Sequence, residues 1–264
     1  MVTKEQFQGA DYPVRLKVMA NGGFGTGKTF LAMTFPKWAY AMIEPNGILT
    51  AKQNPELLKN MVHFDEFVPS VDEDIKVTFE RLSAYIAQCK QDAKEGKIQT
   101  FILDNGTHLS EMRWLYIEKY ELQTSRKTGE VDTLSGYRAL GDWMWKFFIK
   151  EVISIPCHVV VTFHQQEEME TVTDDGGRSK QRPTGRIITS TLGRFRDTAP
   201  GLFNASIFLE RHKFGNGWVF KARCIGPEGA GKPAKNNLGL PEIIDNISFE
   251  KIMGYLKKEG VKNG

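Results

Sequence analysis

Val14-Arg-Leu-Lys-Val-Met-Ala-Asn-Gly22-Gly-Phe-Gly-Thr-Gly27-Lys28-Thr29-Phe30-Leu-Ala-Met-Thr-Phe35 decides the fold. Val14 to Ala20 alternates apolar and polar residues as a strand does, and it runs into a glycine cluster. Lys28 to Phe35 reads as a helix that Pro36 closes. Between strand and helix, Gly22, Gly23, Phe24, Gly25, Thr26, Gly27, Lys28 and Thr29 fit G-x-x-x-x-G-K-[ST], the phosphate-binding loop. The glycines let backbone N–H groups turn inward around a β-phosphate, and the helix N-terminus adds positive potential. Lys28 reaches the β/γ oxygens, the Thr29 hydroxyl can ligate Mg²⁺, and Phe30 completes the contact set for ATP. Gly226-Pro-Glu-Gly-Ala-Gly231-Lys232-Pro233 spells most of the same motif, but Pro233 replaces the metal-binding hydroxyl and no helix follows, so it reads as a basic loop.

Working outward, Tyr40-Ala-Met-Ile43 is a second strand ending at Glu44-Pro-Asn-Gly47. Asp72 to Glu95 is an amphipathic helix whose Ile75, Phe79, Leu82, Ile86 and Cys89 recur at spacings of three and four. Thr100-Phe-Ile-Leu103 is a buried-type strand ending in Asp104. Helical patterns follow around Leu109 to Leu122 and Tyr137 to Ile153, and His158-Val-Val-Val-Thr-Phe163 is a third buried strand. Strands alternating with helices predict a mostly parallel sheet flanked by helices. The last third differs: Glu168 to Val172 opens a hairpin or excursion, Ile207–Glu210 and Trp218–Arg223 flank the Gly215-Asn-Gly217 turn, and a helix closes the chain from Ser248 to Glu259. Without repeats or a low-complexity linker, residues 1–264 read as one domain with its core at about 14–225 and a C-terminal loop and helix over 226–264.

Asp104, at the end of an apolar strand downstream of the loop, suits Mg²⁺ orientation through water, although strands also end in Asp as a helix cap. Asn105 follows where many such ATPases carry a catalytic Glu, so the water-activating carboxylate must come from elsewhere. Glu44 is the candidate, because the C-terminal edges of parallel strands converge on the phosphate site; otherwise it is a solvated acid before Pro45. His164 and Gln165, at the edge of the third strand, are candidate γ-phosphate sensors, or His164 merely caps the strand. His63, His108, His158 and His212 have no metal-ligand spacing among themselves and receive no chemistry.

In this order the loop, Glu44, Asp104 and Cys157-His-Val-Val-Val-Thr-Phe-His164 resemble the RecA-like core, in particular the phage RecA-like ATPases of the Sak type, over roughly Val14 to Leu240. Gly193-Arg-Phe-Arg196, Pro200 to Leu209 and Ala234 to Pro241 extend the likeness. The resemblance implies an ATPase that handles single-stranded DNA as an oligomer, ring or filament, in recombination or annealing. A single-stranded-DNA-binding protein is a further implied partner, and the host bacterial cytoplasm the implied location if the chain is phage-encoded. Lys221 and Arg223, two cations on one side of a strand, match the arrangement that such oligomers use to reach the neighbour's γ-phosphate; the plain reading is a polar edge. Arg178, Lys180, Arg182, Arg186, Arg194 and Arg196 form a segment without acids that could track a phosphate backbone, with Phe195 or Phe203 stacking on bases; a solvated loop is the plain alternative. The rival function is a nucleotide-dependent interaction switch, loader or regulator for which DNA is irrelevant. A small-molecule phosphotransferase is disfavoured because no basic lid motif lies near the loop.

Composition is compatible with each of these. The chain has 264 residues, 41% hydrophobic and 25% charged, and no apolar run long enough to cross a bilayer; with a polar Met1–Asp11 start, a soluble intracellular protein is expected. Cys89, Cys157 and Cys224 form no C-x-x-C pair and are expected to be reduced and structural. The net charge of +3 conceals an asymmetry: residues 176–235 hold 12 basic side chains against three acids, a net of +9, and the other 204 residues carry −6. Any nucleic-acid contact is thereby assigned to the C-terminal third.

Overall fold

The computed structural model describes residues 15–45, 47–122, 132–173, 179–191, 195–215, 217–224 and 234–262. Its frame is a sheet of ten strands, and six of these run parallel: β1 (Lys17–Gly22), β2 (Trp38–Met42), β3 (Met61–Glu66), β4 (Thr100–Asp104), β5 (His158–Thr173) and β7 (Ala205–Phe214). The other four are antiparallel to their neighbours: β6 (Ser179–Thr189) on β5, β8 (Gly217–Arg223) and β9 (Lys235–Asn236) on β7, and β10 (Ile243–Asp245) on β8. The order β10-β8-β7-β1-β5-β4-β2-β3 places β5 between the strand that feeds the phosphate loop and the strand that ends in Asp104. This is the mixed α/β architecture expected, with hairpins in the C-terminal third.

Both faces of β1, β2, β4 and the first parts of β5 and β7 are covered, so these segments are largely apolar. On one face Ala39, Ala41, Phe101, Leu103, Val159 and Val161 pack under α4 (Ile75–Lys94), α5 (Gly106–Tyr120) and α6 (Thr133–Phe147). On the other, Val18, Ala20, Tyr40, Ile102, Val160 and Ile207 pack under α1 (Lys28–Met33) and α8 (Phe249–Lys262). The short helices α2 (Leu49–Gln53), α3 (Pro55–Leu58) and α7 (Phe195–Thr198) fill connections. Asp74, Asn105 and Asp132 cap α4, α5 and α6 through side-chain oxygens that accept from backbone N–H groups.

Several expectations are corrected. The helix drawn from Tyr137 to Ile153 is α-helical only to Phe147 and continues as a π-helical segment, Phe148–Ile153. The strand from His158 does not end at Phe163 but runs on to Thr173 as one arm of the β5–β6 hairpin. The edge strand β3 had no expectation, because its half-polar Met61-Val-His-Phe-Asp-Glu66 lacks the apolar run of its neighbours. The three cysteines are free and buried, and burial pushes Cys89 and Cys224 up to about 12 and Cys157 up to about 11, where the thiol is inert. Among the described residues no helix is long and apolar enough to cross a membrane.

His158, at the start of β5, accepts a hydrogen bond from the Leu16 N–H at Nδ1, 3.0 Å away. Burial, and after it the nearby Lys17 and Arg15 cations, pulls its imidazole down to about 4. As pH falls below about 6.5 the unfolded chain takes up this proton before the folded one does. The stability present at neutral pH is therefore lost between about pH 6.5 and 4, by about 1–3 kcal/mol. Urea unfolding at pH 7 and pH 5 is expected to show this slope, and His158→Asn is expected to flatten it.

Candidate active site

The phosphate loop takes its shape from two glycines in the left-handed region, Gly25 at φ 68° and Gly27 at φ 90°, which a β-carbon would strain. Lys28 folds back over the loop, and its ammonium donates to the carbonyls of Gly22 (3.0 Å) and Gly23 (2.8 Å), 3.5 Å from His164 Nδ1. Burial pulls Lys28 below the usual lysine range, against the pull of Asp104 and Glu44 in the other direction. A cavity of about 550 Å³ opens over the loop, lined by Phe24 to Phe30, Glu44, Thr50, Gln53, Asn54, Leu209, Phe220 and Asn246.

Asp104 is fully buried and accepts three hydroxyl hydrogen bonds. Thr29 Oγ1 donates to Oδ2 at 2.7 Å, Tyr40 OH donates to the same oxygen at 2.6 Å, and Thr162 Oγ1 donates to Oδ1. Burial first, then Asp104, pushes the Tyr40 phenol well above its ordinary range, so it stays a donor. The adjacency of the Thr29 hydroxyl and the Asp104 carboxylate is the donor set that Mg²⁺ takes in such loops.

The Asn105 side chain organises what lies beside it. Its Oδ1 accepts from the His108 N–H at 2.8 Å, capping α5, and lies 3.0 Å from His108 Nδ1. The oxygen faces a backbone N–H, which can only donate, so Nδ2 must face the other way; there it meets Glu44 Oε2 and, at 3.1 Å, His164 Nε2. Glu44 Oε1 is 3.4 Å from the same His164 nitrogen. Burial pushes the Glu44 carboxyl up, but His164, Lys28 and Asn105 together outweigh it and hold the group below the usual carboxylate range. Ligand atoms of Glu44, His108 and His164 lie within 4.8 Å of one another. His108 thus belongs to the site, a member that sequence spacing alone does not reveal. Its signal was local: it stands three residues after the cap Asn105.

The base of the β5–β6 hairpin is tied to this network. Thr107 Oγ1 donates to the Ser190 carbonyl at 2.7 Å and accepts from the His164 N–H at 3.0 Å, and the Ser190 N–H donates to the His164 carbonyl at 2.8 Å. Phe24, 79% exposed at the tip of the loop, rests its ring 4.4 Å from that of His164. Gln165 approaches Gly23, with Nε2 3.9 Å from where a β-carbon there would stand, and its buried Oε1 has no hydrogen-bond partner among the described residues.

The cations expected to contact DNA are placed differently from one another. Arg178, Arg194 and the loop 226–233 lie outside the described residues. Lys180, Arg182 and Arg186 lie on β6, and β5 brings acids to two of them: Arg186 pairs with Glu168 at 3.2 Å and Arg182 stands across from Glu170, whereas Lys180 stands across from Val172. Arg196 lies 3.7 Å from Asp197. Phe195 and Phe203 cannot stack on bases, because they are 1% and 2% exposed and pack against the core aromatic Phe148. Lys221 and Arg223 share one face of β8, with buried Ala222 on the other, and Arg223 pairs with Glu242 at 3.1 Å.

The sequence profile of the AAA-domain family matches residues 15–208, and the chain belongs to that family of P-loop ATPase domains. No curated protein sequence matches the chain. Among solved structures it is similar to a prototypical ATPase from the type III secretion system of pathogenic bacteria, with a TM-score of 0.44 and 11% identity over 74% of this chain and 51% of that one. It therefore spans about half the length of that ATPase. It is also similar to a KaiC-like protein of the hyperthermophilic archaeon Pyrococcus horikoshii, with a TM-score of 0.39 and 12% identity over 88% of this chain and 90% of the other.

Thr162→Val keeps the shape but leaves Asp104 Oδ1 buried without its donor, at a cost of about 1–3 kcal/mol. Urea titration should show a lower midpoint at unchanged slope, whereas Thr171→Val on the exposed hairpin should move it by less than about 0.5 kcal/mol.

Proposed function

We propose that the protein is a Mg²⁺-dependent ATPase in which Glu44 activates the attacking water, and that it acts on single-stranded DNA as a homo-oligomer in phage recombination or annealing. The observation that carries the hydrolytic part is the placement of the phosphate loop and the Glu44 carboxylate around one cavity, with Asn105 orienting that carboxylate. Nucleotide phosphates would lie on the loop N–H groups. Lys28, with one ammonium hydrogen beyond those given to Gly22 and Gly23, would reach a terminal oxygen. Thr29 directly and Asp104 through water would hold Mg²⁺, which when bound offsets the charge gathered on the phosphates. Water attacks the γ-phosphorus, its proton passes to the ionised Glu44, and the bond to the β-phosphate oxygen breaks to leave ADP and phosphate. His164, with Gln165 beside it, would sense the γ-phosphate and pass its presence to the hairpin through Ser190.

DNA contact is supported by the basic excess of residues 176–235 and by the resemblance to Sak-type ATPases. The strand order, with β5 between β1 and β4, fits the RecA-like reading, in which 1–264 acts as one domain in the cytoplasm. Lys221 and Arg223 would act on a neighbour's nucleotide, which for Arg223 requires exchanging Glu242 for a phosphate. The acids facing Arg182 and Arg186 favour the second reading, a nucleotide-dependent switch that binds protein rather than DNA.

Lys28→Ala is expected to abolish ATP binding or hydrolysis, and Glu44→Gln to keep binding while losing at least about 100-fold in kcat. Normal turnover in Glu44→Gln would transfer the base to another residue. Anisotropy titrations with a labelled oligo(dT), with and without ATP and Mg²⁺, separate the two readings: affinity falling steeply with salt supports DNA, and no binding at low salt leaves the switch.

A further inference from the structure

β7 runs past its pairing with β1, where Leu209 stands opposite Gly22, and the overhang carries Arg211. Side chains alternate along a strand, so Arg211 shares the face of Leu209, which lines the cavity above the phosphate loop. Arg211 Nη1 is 3.2 Å from the point that a β-carbon on Gly25 would occupy. Phe220, directly across from Arg211 in the β7–β8 register, brings its ring to 3.3 Å from the equivalent point on Gly27. The cross-strand pair closes over the loop, cation above its first half and ring above its second.

The Arg211 guanidinium has no hydrogen bond or ion pair among the described residues, and its recorded partner is the face of Trp218, 4.3 Å from the ring centroid. Trp218 stands diagonal to it across the hairpin. An aromatic face restrains an arginine without neutralising it, so the charge and the planar fork of N–H donors stay available. The fork points at a loop already built to bind phosphate, where charge-assisted bonds to oxygen are strong. Lys221, one residue on from Phe220, projects to the opposite face of β8, and so does Arg223.

We infer that Arg211 is a phosphate-contacting residue of the nucleotide site in its own chain, held in place by Trp218. This rests on the nucleotide site proposed above. A surface arginine merely packed on a tryptophan would instead leave nucleotide binding untouched.

Titration of purified full-length protein with fluorescent ATP and ADP analogues, together with steady-state turnover, tests it. Arg211→Ala is expected to weaken ATP binding about tenfold or more, ADP binding less, and to lower kcat, with the thermal midpoint unchanged because the side chain is exposed. Arg211→Lys, which keeps the charge without the fork, should fall between, and Trp218→Ala should lose a few-fold. Mixing Arg211→Ala with Lys28→Ala protein should restore nothing, since each chain lacks part of its own site. Wild-type affinities and turnover in Arg211→Ala would overturn the inference, and recovery of turnover on mixing would overturn its same-chain clause. ATP binding of wild-type strength in Lys28→Ala would instead remove the nucleotide site itself, and Arg211's role with it.

Discussion

A buried carboxylate must be satisfied or expelled, and Asp104 is satisfied by three hydroxyls from three different elements. Thr29 comes from the first turn of α1, Tyr40 from β2 and Thr162 from β5. The strands supply position and the hydroxyls supply register: a one-residue slip of β5 would turn Thr162 to the opposite face and present Val161 or Phe163 instead. The interaction that keeps a charge inside the sheet therefore also sets the distance between the phosphate loop and the strand edges where chemistry would occur.

Next to this anchor Asn105 performs two tasks with one amide. Its oxygen caps α5, which fixes the direction of its nitrogen, and the nitrogen holds Glu44 against His164. An Asp here would cap equally well but would set a second carboxylate against Glu44. From His164 the network continues through hydrogen bonds to Thr107 and Ser190 at the foot of the β5–β6 hairpin, so the phosphate site and the hairpin are joined by a short bonded route.

Much of this was legible in the sequence, for identifiable reasons. The loop announces itself because left-handed backbone demands glycine at positions 25 and 27, and Asp104 and Glu44 stand out because acids end apolar strands. Tyr40 and Thr162 were invisible as ligands of Asp104: inside apolar runs they read as strand filler, and only the pairing of β2, β4 and β5 brings their hydroxyls to one carboxylate. Arg211 was missed for a related reason, since its approach to Gly25 depends on how far β7 overhangs β1. Phe195 and Phe203 misled in the opposite direction. Aromatics among arginines look like stacking platforms, but here they fill core space beside Phe148.

The most direct measurement is a crystal structure with Mg²⁺ and a non-hydrolysable ATP analogue. The phosphates should lie on the N–H groups of residues 23–28, with the metal on the Thr29 hydroxyl and a water from Asp104, and with the Glu44 carboxylate facing a water in line with the γ-phosphate. A nucleotide bound elsewhere, or Glu44 turned away from the γ-phosphate with no such water, would contradict the assignment.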